Sequence, residues 1–175
     1  MEKMKLLAPS AEYEEEIRAF RQEFLDEGGS MDGCGPLRKT EDIRYWIEQI
    51  KRGENPENVP EGLVPATQFI FVRESDGKMV GAIQIRHYLN DYLRDFAGHI
   101  GYSVRPSERR RGYATQMLRD ALPLCRKLGL PKVLISCLTE NEGSRKVILN
   151  NGGIYFETVY EPKMDRYLEK YWVHI

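Results

Sequence analysis

The chain has 175 residues, of which 41% are hydrophobic and 10% aromatic, and its formal net charge is −1. This size and composition predict one domain over residues 1–175 with a single sizeable core. The balanced charge argues against general binding to nucleic acid or to an anionic membrane, because both favour an excess of Lys and Arg. Since the sequence has neither a signal-peptide pattern nor an apolar run of transmembrane length, we expect a cytoplasmic protein.

The cysteines and histidines predict neither a metal site nor a disulfide framework. There are three of each, widely spaced, without a Cys-x-x-Cys pair or the spacing of metal ligands. We therefore expect reduced, structural cysteines and no bound metal. These residues are Cys34, Cys125, Cys137, His87, His99 and His174.

The N-terminal part predicts a short strand followed by two helices. The strand covers residues 4–7, and Ser10 caps a helix that carries its apolar residues on one face and ends at Gly28. Thr40 caps the second helix. Between the helices, residues 33–36 read Gly-Cys-Gly-Pro, and we expect this segment to be mobile.

A long loop and a hairpin are predicted next. Residues 53–65 are rich in Gly and Pro, which resist regular structure, so they predict a surface loop of a length that often serves a site. The pair Asp76-Gly77 is typical of a hairpin turn and joins β-rich runs over residues 67–73 and 79–87. Residues 88–97 link this hairpin to the following strand.

The most informative part of the sequence is a strand, a basic turn and a helix. Ile100, Tyr102 and Val104 alternate with smaller or polar residues and predict a strand, which Pro106 ends. Apolar residues recur at helical spacing from Ala114 onward. The start of a helix carries unpaired backbone N–H groups, so a glycine there lets phosphates approach closely. Arginines supply forked donors that suit phosphate oxygens.

The basic turn reads Arg109-Arg110-Arg111-Gly112-Tyr113-Ala114. Its pattern Arg-x-x-Gly-x-Ala, between a strand and an apolar helix, resembles the pyrophosphate loop by which the GNAT superfamily of N-acetyltransferases binds acetyl-CoA. The alternative is that the arginines form a solvated run of charge without a ligand. The sequence has neither Gly-x-Gly-x-x-Gly after a strand nor Gly-x-x-x-x-Gly-Lys, which argues against dinucleotide redox chemistry and nucleotide hydrolysis.

The C-terminal part predicts a strand, a helix and a final pair of strands. Pro123 lies within the third helix and predicts a kink or an early end there. Thr139-x-x-Glu142 matches a capping box for a fourth helix. The buried strand covers residues 133–138, the fourth helix residues 141–150, and the last strands residues 154–160 and 166–174.

The complete order is strand, two helices, three strands, helix, strand, helix and two strands, which is similar to the GNAT order over essentially the whole chain. The resemblance implies a mixed α/β fold whose mostly antiparallel sheet is splayed between the fourth and fifth strands. It also implies acetyl-CoA as the cosubstrate, with its pantetheine arm between these strands. For Asn141 and Ser144, helix capping and simple surface exposure are the alternative to cofactor binding. The residues implied in cofactor binding are Tyr102, Ser103, Val104, Arg109, Arg110, Arg111, Gly112, Tyr113, Ala114, Thr115, Asn141 and Ser144.

The resemblance further implies direct attack on the thioester by an amine of a small molecule or a peptide, held between residues 53–66 and 88–97. An alkyl amine is protonated at neutral pH and must first lose a proton. His99, on the fourth strand, is the candidate general base, and a structural role is its alternative. Many GNAT enzymes have a proton-donating Tyr seven residues after the Asn of the fourth helix, where this sequence has Ile148.

Several other residues near the predicted site could take part in ion pairing, acyl transfer or proton donation. Glu108 is expected to pair with an arginine, and Cys137, in an apolar strand, to be inert rather than an acyl carrier. The tyrosines that could replace the missing proton donor are Tyr155, Tyr160, Tyr167 and Tyr171.

An N-acetyltransferase is the main functional prediction. A non-catalytic sensor or scaffold that binds acetyl-CoA is the alternative, and the isoleucine at position 148 favours it. A nucleic-acid module is disfavoured, because the charge is balanced and basic and aromatic residues are not interleaved. A homodimer is compatible with these predictions.

Overall fold

A computed structural model, which describes residues 2–175, contains seven β-strands and four α-helices in the predicted order. The sequence therefore predicted every strand and every α-helix, but not the π-helix at Leu93–Ala97 or the short 3-10 turns. In chain order these are β1 (Met4–Leu7), α1 (Glu14–Glu27), α2 (Ile43–Arg52), β2 (Ala66–Arg73), β3 (Met79–Arg86), β4 (Ile100–Val104), α3 (Tyr113–Lys127), β5 (Lys132–Leu138), α4 (Glu142–Asn150), β6 (Ile154–Glu161) and β7 (Arg166–His174).

The strands form two antiparallel sheets that meet without a ladder between them. One sheet has the order β1-β2-β3-β4 and the other has the order β5-β7-β6. An isolated bridge between Gly98 and Ile135 joins the segment just before β4 to the middle of β5. Beyond this bridge the two strands separate, which confirms the predicted splay between the fourth and fifth strands and leaves backbone groups of β4 free for a ligand.

Two apolar clusters cover the sheets. Met117, Leu118 and Ala121 of α3 pack with residues of both sheets, including Ile83 of β3 and Ile135 of β5. On the other side, α1 and α2 pack on the first sheet through residues that include the fully buried Phe20, Phe24 and Trp46. Because α3 bridges both sheets, it fixes the gap between them and places its own N-terminus beside β4.

The helix starts differ from the predicted caps. The Ser10 side chain makes no capping bond, since a short 3-10 turn precedes α1. Asp42 rather than Thr40 caps α2, and its carboxylate accepts the Tyr45 N–H at 3.0 Å. Asn141 rather than Thr139 caps α4. Several Ser, Thr, Asp or Asn side chains precede each helix, so the cap depends on the backbone angles of the preceding turn.

The third helix continues through Pro123 to Lys127, so the predicted early end is wrong. Proline removes one backbone N–H, but Leu128 still donates to the Leu124 carbonyl at 3.1 Å beyond it. Packing of the buried face of α3, on both sides of the proline, outweighs that loss. Among residues 2–175, no helix has both the length and the apolar character that crossing a bilayer requires.

Candidate active site

A cleft of about 990 Å³ opens where β4 and β5 separate. Its walls come from β4, β5, the start of α3 and α4, and the segment that follows α1. All residues implied in cofactor binding line this cleft except Arg111. The structure therefore brings together residues from distant parts of the sequence at one end of the sheet, where α/β proteins commonly bind ligands.

The N-terminus of α3 points its first backbone amides at one end of the cleft. Gly112 precedes the helix with a φ of 82°, a left-handed conformation that favours glycine, and no side chain caps the turn. The first amide with an acceptor in the helix is that of Gln116, which bonds to the Gly112 carbonyl at 3.1 Å. The N–H groups of Tyr113, Ala114 and Thr115 are thus available to an anion.

The three arginines have different surroundings. Arg109 makes a two-fold ion pair with Glu27, at 2.5 and 3.0 Å, and donates to the Val104 carbonyl. Arg111 lies 3.3 Å from Glu108. Arg110 has a φ of 61°, is exposed, and makes no ion pair with any residue of the described chain. Arg110 is therefore the member of this run whose charge is not already matched by a carboxylate.

Glu108 is a buried anchor beneath the basic turn and is only 3% exposed. Its carboxylate accepts hydrogen bonds from Arg73 at 2.9 Å and from Lys78 at 2.7 Å, which confirms the predicted arginine pair. Burial alone would raise the pKa of this carboxyl, but the bonds from Arg73 and Lys78 outweigh burial and hold the pKa below its ordinary value. The turn is thus tied to β2 and β3.

The backbone of β4 presents alternate residues to the cleft. The His99 carbonyl accepts from Arg86, and the Arg105 N–H donates to Val80, so odd-numbered residues bond to β3. Since neighbouring residues in a strand direct their backbone groups to opposite edges, Tyr102 and Val104 face the gap. The backbone of Ser103 faces β3 instead, which does not fit the predicted main-chain contact, and its hydroxyl lies 3.5 Å from Cys34 Sγ.

The start of α4 joins β4 through side chains. The Asn141 side chain accepts the Ser144 N–H at 3.0 Å, so Asn141 both caps the helix and lines the cleft. The Ser144 hydroxyl lies 2.7 Å from the Tyr102 hydroxyl. Burial raises the pKa of Tyr102, so its phenol keeps its proton at neutral pH. Ile148 is fully buried in the core, away from the cleft.

His99 is buried and hydrogen-bonded to β5. It is 6% exposed and does not line the cleft. Its ring Nδ1 accepts the Leu134 N–H at 2.9 Å, and its backbone N–H donates to the Leu134 carbonyl at 2.7 Å. Burial, with a contribution from the nearby charge of Arg86, lowers the pKa of His99 to about 4. These contacts join β4 to β5 and match the structural alternative for His99 better than the predicted role as a base.

We expect the stability of the protein to depend on His99 between about pH 4 and about pH 6.5, the ordinary pKa of histidine. In that range the unfolded chain binds a proton that the folded chain does not, so the free energy of unfolding falls as the pH is lowered. Above this range His99 adds no pH dependence. Denaturant unfolding of His99→Gln should show a smaller loss between about pH 7 and about pH 5 than the wild type. His174 is exposed, so His174→Gln serves as the control. An equal loss of unfolding free energy in the wild type and in both variants would contradict this expectation.

The other candidates lie in unsuitable places. Tyr155, Tyr160 and Tyr167 are exposed and do not line the cleft, and the Tyr171 hydroxyl donates to Glu169. Cys137 does line the cleft, but burial raises the pKa of its thiol to about 11, in keeping with the predicted lack of reactivity. Within residues 2–175, no group of His, Cys, Asp or Glu has an arrangement that could hold a metal ion.

The wall expected from residues 53–66 comes instead from residues 27–33. A hydrogen bond from the Ala66 N–H to the Gly53 carbonyl joins the two ends of the 53–66 loop. No residue of this loop lines the cleft. The 27–33 wall continues into a segment that was expected to be mobile, but Gly33 and Cys34 are buried. Buried Gln68 donates to the Gly33 carbonyl at 2.7 Å, and Trp46 to the Cys34 carbonyl at 3.0 Å.

The comparison with known protein families decides the classification. A family model described as an acetyltransferase (GNAT) domain matches residues 12–154. The chain belongs to the GNAT acetyltransferase family. This membership confirms the resemblance that the basic turn and the element order indicated. A comparison with curated protein sequences gave no match.

Solved structures of other GNAT proteins share this fold at low sequence identity. The microcin C7 self-immunity acetyltransferase MccE, in complex with acetyl-CoA and AMP, is 18% identical, with a TM-score of 0.74 over 99% of this chain and 93% of that one. Mycobacterium smegmatis RimJ, in complex with CoA-disulfide, is 17% identical, with a TM-score of 0.72 over 98% of this chain and 81% of that one. A chimera of the spermidine N-acetyltransferase SpeG from Vibrio cholerae and hSSAT is 11% identical, with a TM-score of 0.64 over 98% and 94%.

Proposed function

We propose that this GNAT protein transfers an acetyl group from acetyl-CoA to a primary amine of a small molecule or a peptide, by direct attack of the amine on the thioester. The observation that carries the proposal is the continuous cleft that joins the free amides at the start of α3 to the free edge of β4. The free amides at the start of α3 suit a diphosphate, and the free edge of β4 suits the amide-containing pantetheine arm of CoA. Two of the solved GNAT structures similar to this chain hold acetyl-CoA or a CoA disulfide, which supports the choice of cosubstrate.

The diphosphate is assigned to the backbone amides that begin α3, with the left-handed Gly112 allowing close approach. The Arg110 guanidinium, which is exposed and unmatched, supplies the charge-assisted contact. Arg109 orients the turn through Glu27 and the Val104 carbonyl. Thr115 and Asn141 also line the cleft.

The pantetheine arm is assigned to the edge of β4, where the backbone groups of Tyr102 and Val104 extend the sheet to a ligand in the manner of an added strand. A backbone N–H at this edge polarises the thioester carbonyl and stabilises the oxyanion that forms on attack. The ammonium group first loses one proton to water in the open cleft, and the nitrogen lone pair then forms the new C–N bond. The C–S bond breaks with its electron pair on sulfur, and the second proton lost from nitrogen passes to the CoA thiolate. His99 has no part in this proposal.

Tyr102 is assigned as the hydrogen-bond donor to the leaving sulfur. Its phenol stays protonated, lies in the cleft, and is oriented by the Ser144 hydroxyl at 2.7 Å. A thiolate with a pKa of about 8.5 leaves readily, so a donor that stabilises its charge is sufficient in place of the missing tyrosine at position 148.

We expect Tyr102→Phe to lower kcat by roughly 10-fold to 100-fold, because a hydrogen bond to a charged group contributes about 1.5–3 kcal/mol. The KM for acetyl-CoA should change little, since the contact forms as the charge develops. Steady-state kinetics that monitor CoA release measure both constants. Tyr167→Phe, which removes a phenol outside the cleft, is the control and should keep the wild-type rate. An unchanged kcat for Tyr102→Phe would remove Tyr102 from the mechanism.

The function itself is tested in two measurements on the same preparation. Calorimetry measures acetyl-CoA binding, and a thiol assay measures CoA release with a panel of amino acids, peptides, polyamines and aminoglycosides. Release of CoA that depends on an amine, with the acetylated amine detected by mass spectrometry, supports the proposal. Binding of acetyl-CoA without release for any amine would instead support the non-catalytic sensor or scaffold.

A further inference from the structure

Arg86 is a cation in the cleft wall that makes no ion pair with a carboxylate of the described residues, 2–175. It ends β3, and its Nη1 donates to the Gly98 carbonyl at 3.0 Å. Its Nε and Nη2 make no hydrogen bond, and it forms no ion pair, with any of residues 2–175. The two buried arginines differ from it, since Arg73 lies 2.9 Å from Glu108 and Arg105 lies 2.6 Å from Glu23.

The surroundings of Arg86 favour an external anion. Burial lowers the pKa of its guanidinium, and the charge of Asp32 only partly offsets that effect. A guanidinium is charged at any physiological pH, so it carries the cost of partial desolvation without the direct ion pair that normally offsets it. Its free donors have the fork geometry that matches a carboxylate, and a ligand carboxylate in the cleft would supply the missing partner.

Asp32 places an opposite charge on the same wall. It is exposed, lines the cleft, and belongs to the 27–33 wall, directly before Gly33, which packs against the backbone of Gly101. Arg86 lines the cleft beside the same glycine. A cation and the residue after an anion therefore both lie beside Gly101, at the part of the cleft that the start of β4 forms, away from the α3 amides.

We propose that the acceptor is an amine that also carries a carboxylate, which binds Arg86, while its ammonium group approaches Asp32. This proposal rests on the acetyl-transfer function proposed above. The two wall charges match a zwitterion in sign, and Arg86 repels a polyamine, which has no negative group to offer it. The ammonium group gives up one proton to water before attack and a second proton to the CoA thiolate as the amide forms, and the carboxylate remains on Arg86 while the C–N bond forms and the C–S bond breaks.

The test compares matched acceptors: amino acids with α-, β- and γ-amino groups, the carboxamide of each, the decarboxylated amine of each, and spermidine. A charge-assisted contact contributes about 1.5–3 kcal/mol, so kcat/KM for the best amino acid should exceed that for its carboxamide by roughly 10-fold to 100-fold. In Arg86→Gln this ratio should fall to about one. In Arg86→Lys the ratio should lie between that value and the wild-type ratio. Arg119→Gln, outside the cleft, is the matched control and should keep the wild-type ratio.

The outcomes separate this inference from the proposed function. Acetyl-CoA affinity and thermal unfolding of each variant show whether a change in the ratio arises from misfolding. Turnover that is equal for acids and carboxamides, or that occurs only with spermidine, would overturn the zwitterion assignment and leave acetyl transfer standing. A wild-type preference that survives in Arg86→Gln would also overturn it. Acetyl-CoA binding without turnover of any amine would instead overturn the proposed function.

Discussion

Replacing Gly112 with Asp is expected to weaken acetyl-CoA binding by roughly 100-fold or more. The substitution puts a carboxylate at the helix end where the diphosphate is proposed to bind, and it blocks close approach to the amides of α3. Two lost charge-assisted hydrogen bonds amount to about 3 kcal/mol, which is roughly 100-fold in affinity. Calorimetry with CoA and acetyl-CoA measures this loss directly.

The chain offers a matched control at the other end of the same helix. Gly112 and Gly129 both have a φ of 82°, and a Cβ at either position would meet no atom within 4 Å. Gly129→Asp therefore imposes the same backbone strain in equally open space but far from the cleft. It should lower stability by about 1 kcal/mol and leave CoA affinity unchanged. Equal affinities in the two variants would remove the start of α3 from the cofactor site.

Local signals account for the part of the site that could be predicted from the sequence. Alternating apolar residues predict the strand that ends at Val104, and Gly112 marks the turn after it. Apolar residues at helical spacing then predict the helix, so all three signals lie within one short stretch. The family pattern points to Asn141 and Ser144, and both line the cleft in the structure, while only Asn141 also has the alternative role of a helix cap.

The parts that were missed depend on contacts between distant segments. Arg86 looks like an ordinary polar residue at the end of a strand, because nothing nearby in the sequence shows that it lacks a partner in the fold. His99 looks like a free imidazole until the fold brings the Leu134 N–H to its ring. The position of each helix cap depended on one turn of backbone, where neighbouring residues such as Thr40 and Asp42 are both acceptable caps.

The segment after α1 is the clearest example of a feature that depends on a contact with a distant part of the chain. A Gly-Cys-Gly-Pro sequence is typical of a flexible loop, but here Gly33 is required because its Cα lies against the backbone of β4. The contact partner, Gly101, is far along the chain and has no feature that marks it. Both residues lack a Cβ for the same reason, which is the close approach of two backbones at the cleft wall.

Gly33→Ala is therefore expected to lower the free energy of unfolding by about 2–4 kcal/mol. Its φ of 71° costs an alanine about 1 kcal/mol, and overpacking against a rigid neighbour adds about 1–3 kcal/mol. The new Cβ would overlap the Gly101 carbonyl and lie 2.6 Å from the Tyr102 nitrogen, so the backbone itself must shift. Because Asp32 and β4 move with it, turnover of the amine should fall more than acetyl-CoA affinity.

Gly28→Ala distinguishes the steric clash with the backbone of β4 from the cost of placing an alanine at a positive φ. Gly28 has a similar φ of 78°, but a Cβ there would meet nothing within 4 Å, so this variant should lose only about 1 kcal/mol. Urea unfolding of both variants, together with kinetics at saturating acetyl-CoA, gives the comparison. If the two alanines cost the same, the 27–33 wall does not pack on β4 as described, and the acceptor end of the cleft has a different shape. A larger loss at Gly33, joined to a fall in kcat/KM for the amine, ties the position of Asp32 to this single close approach between backbones.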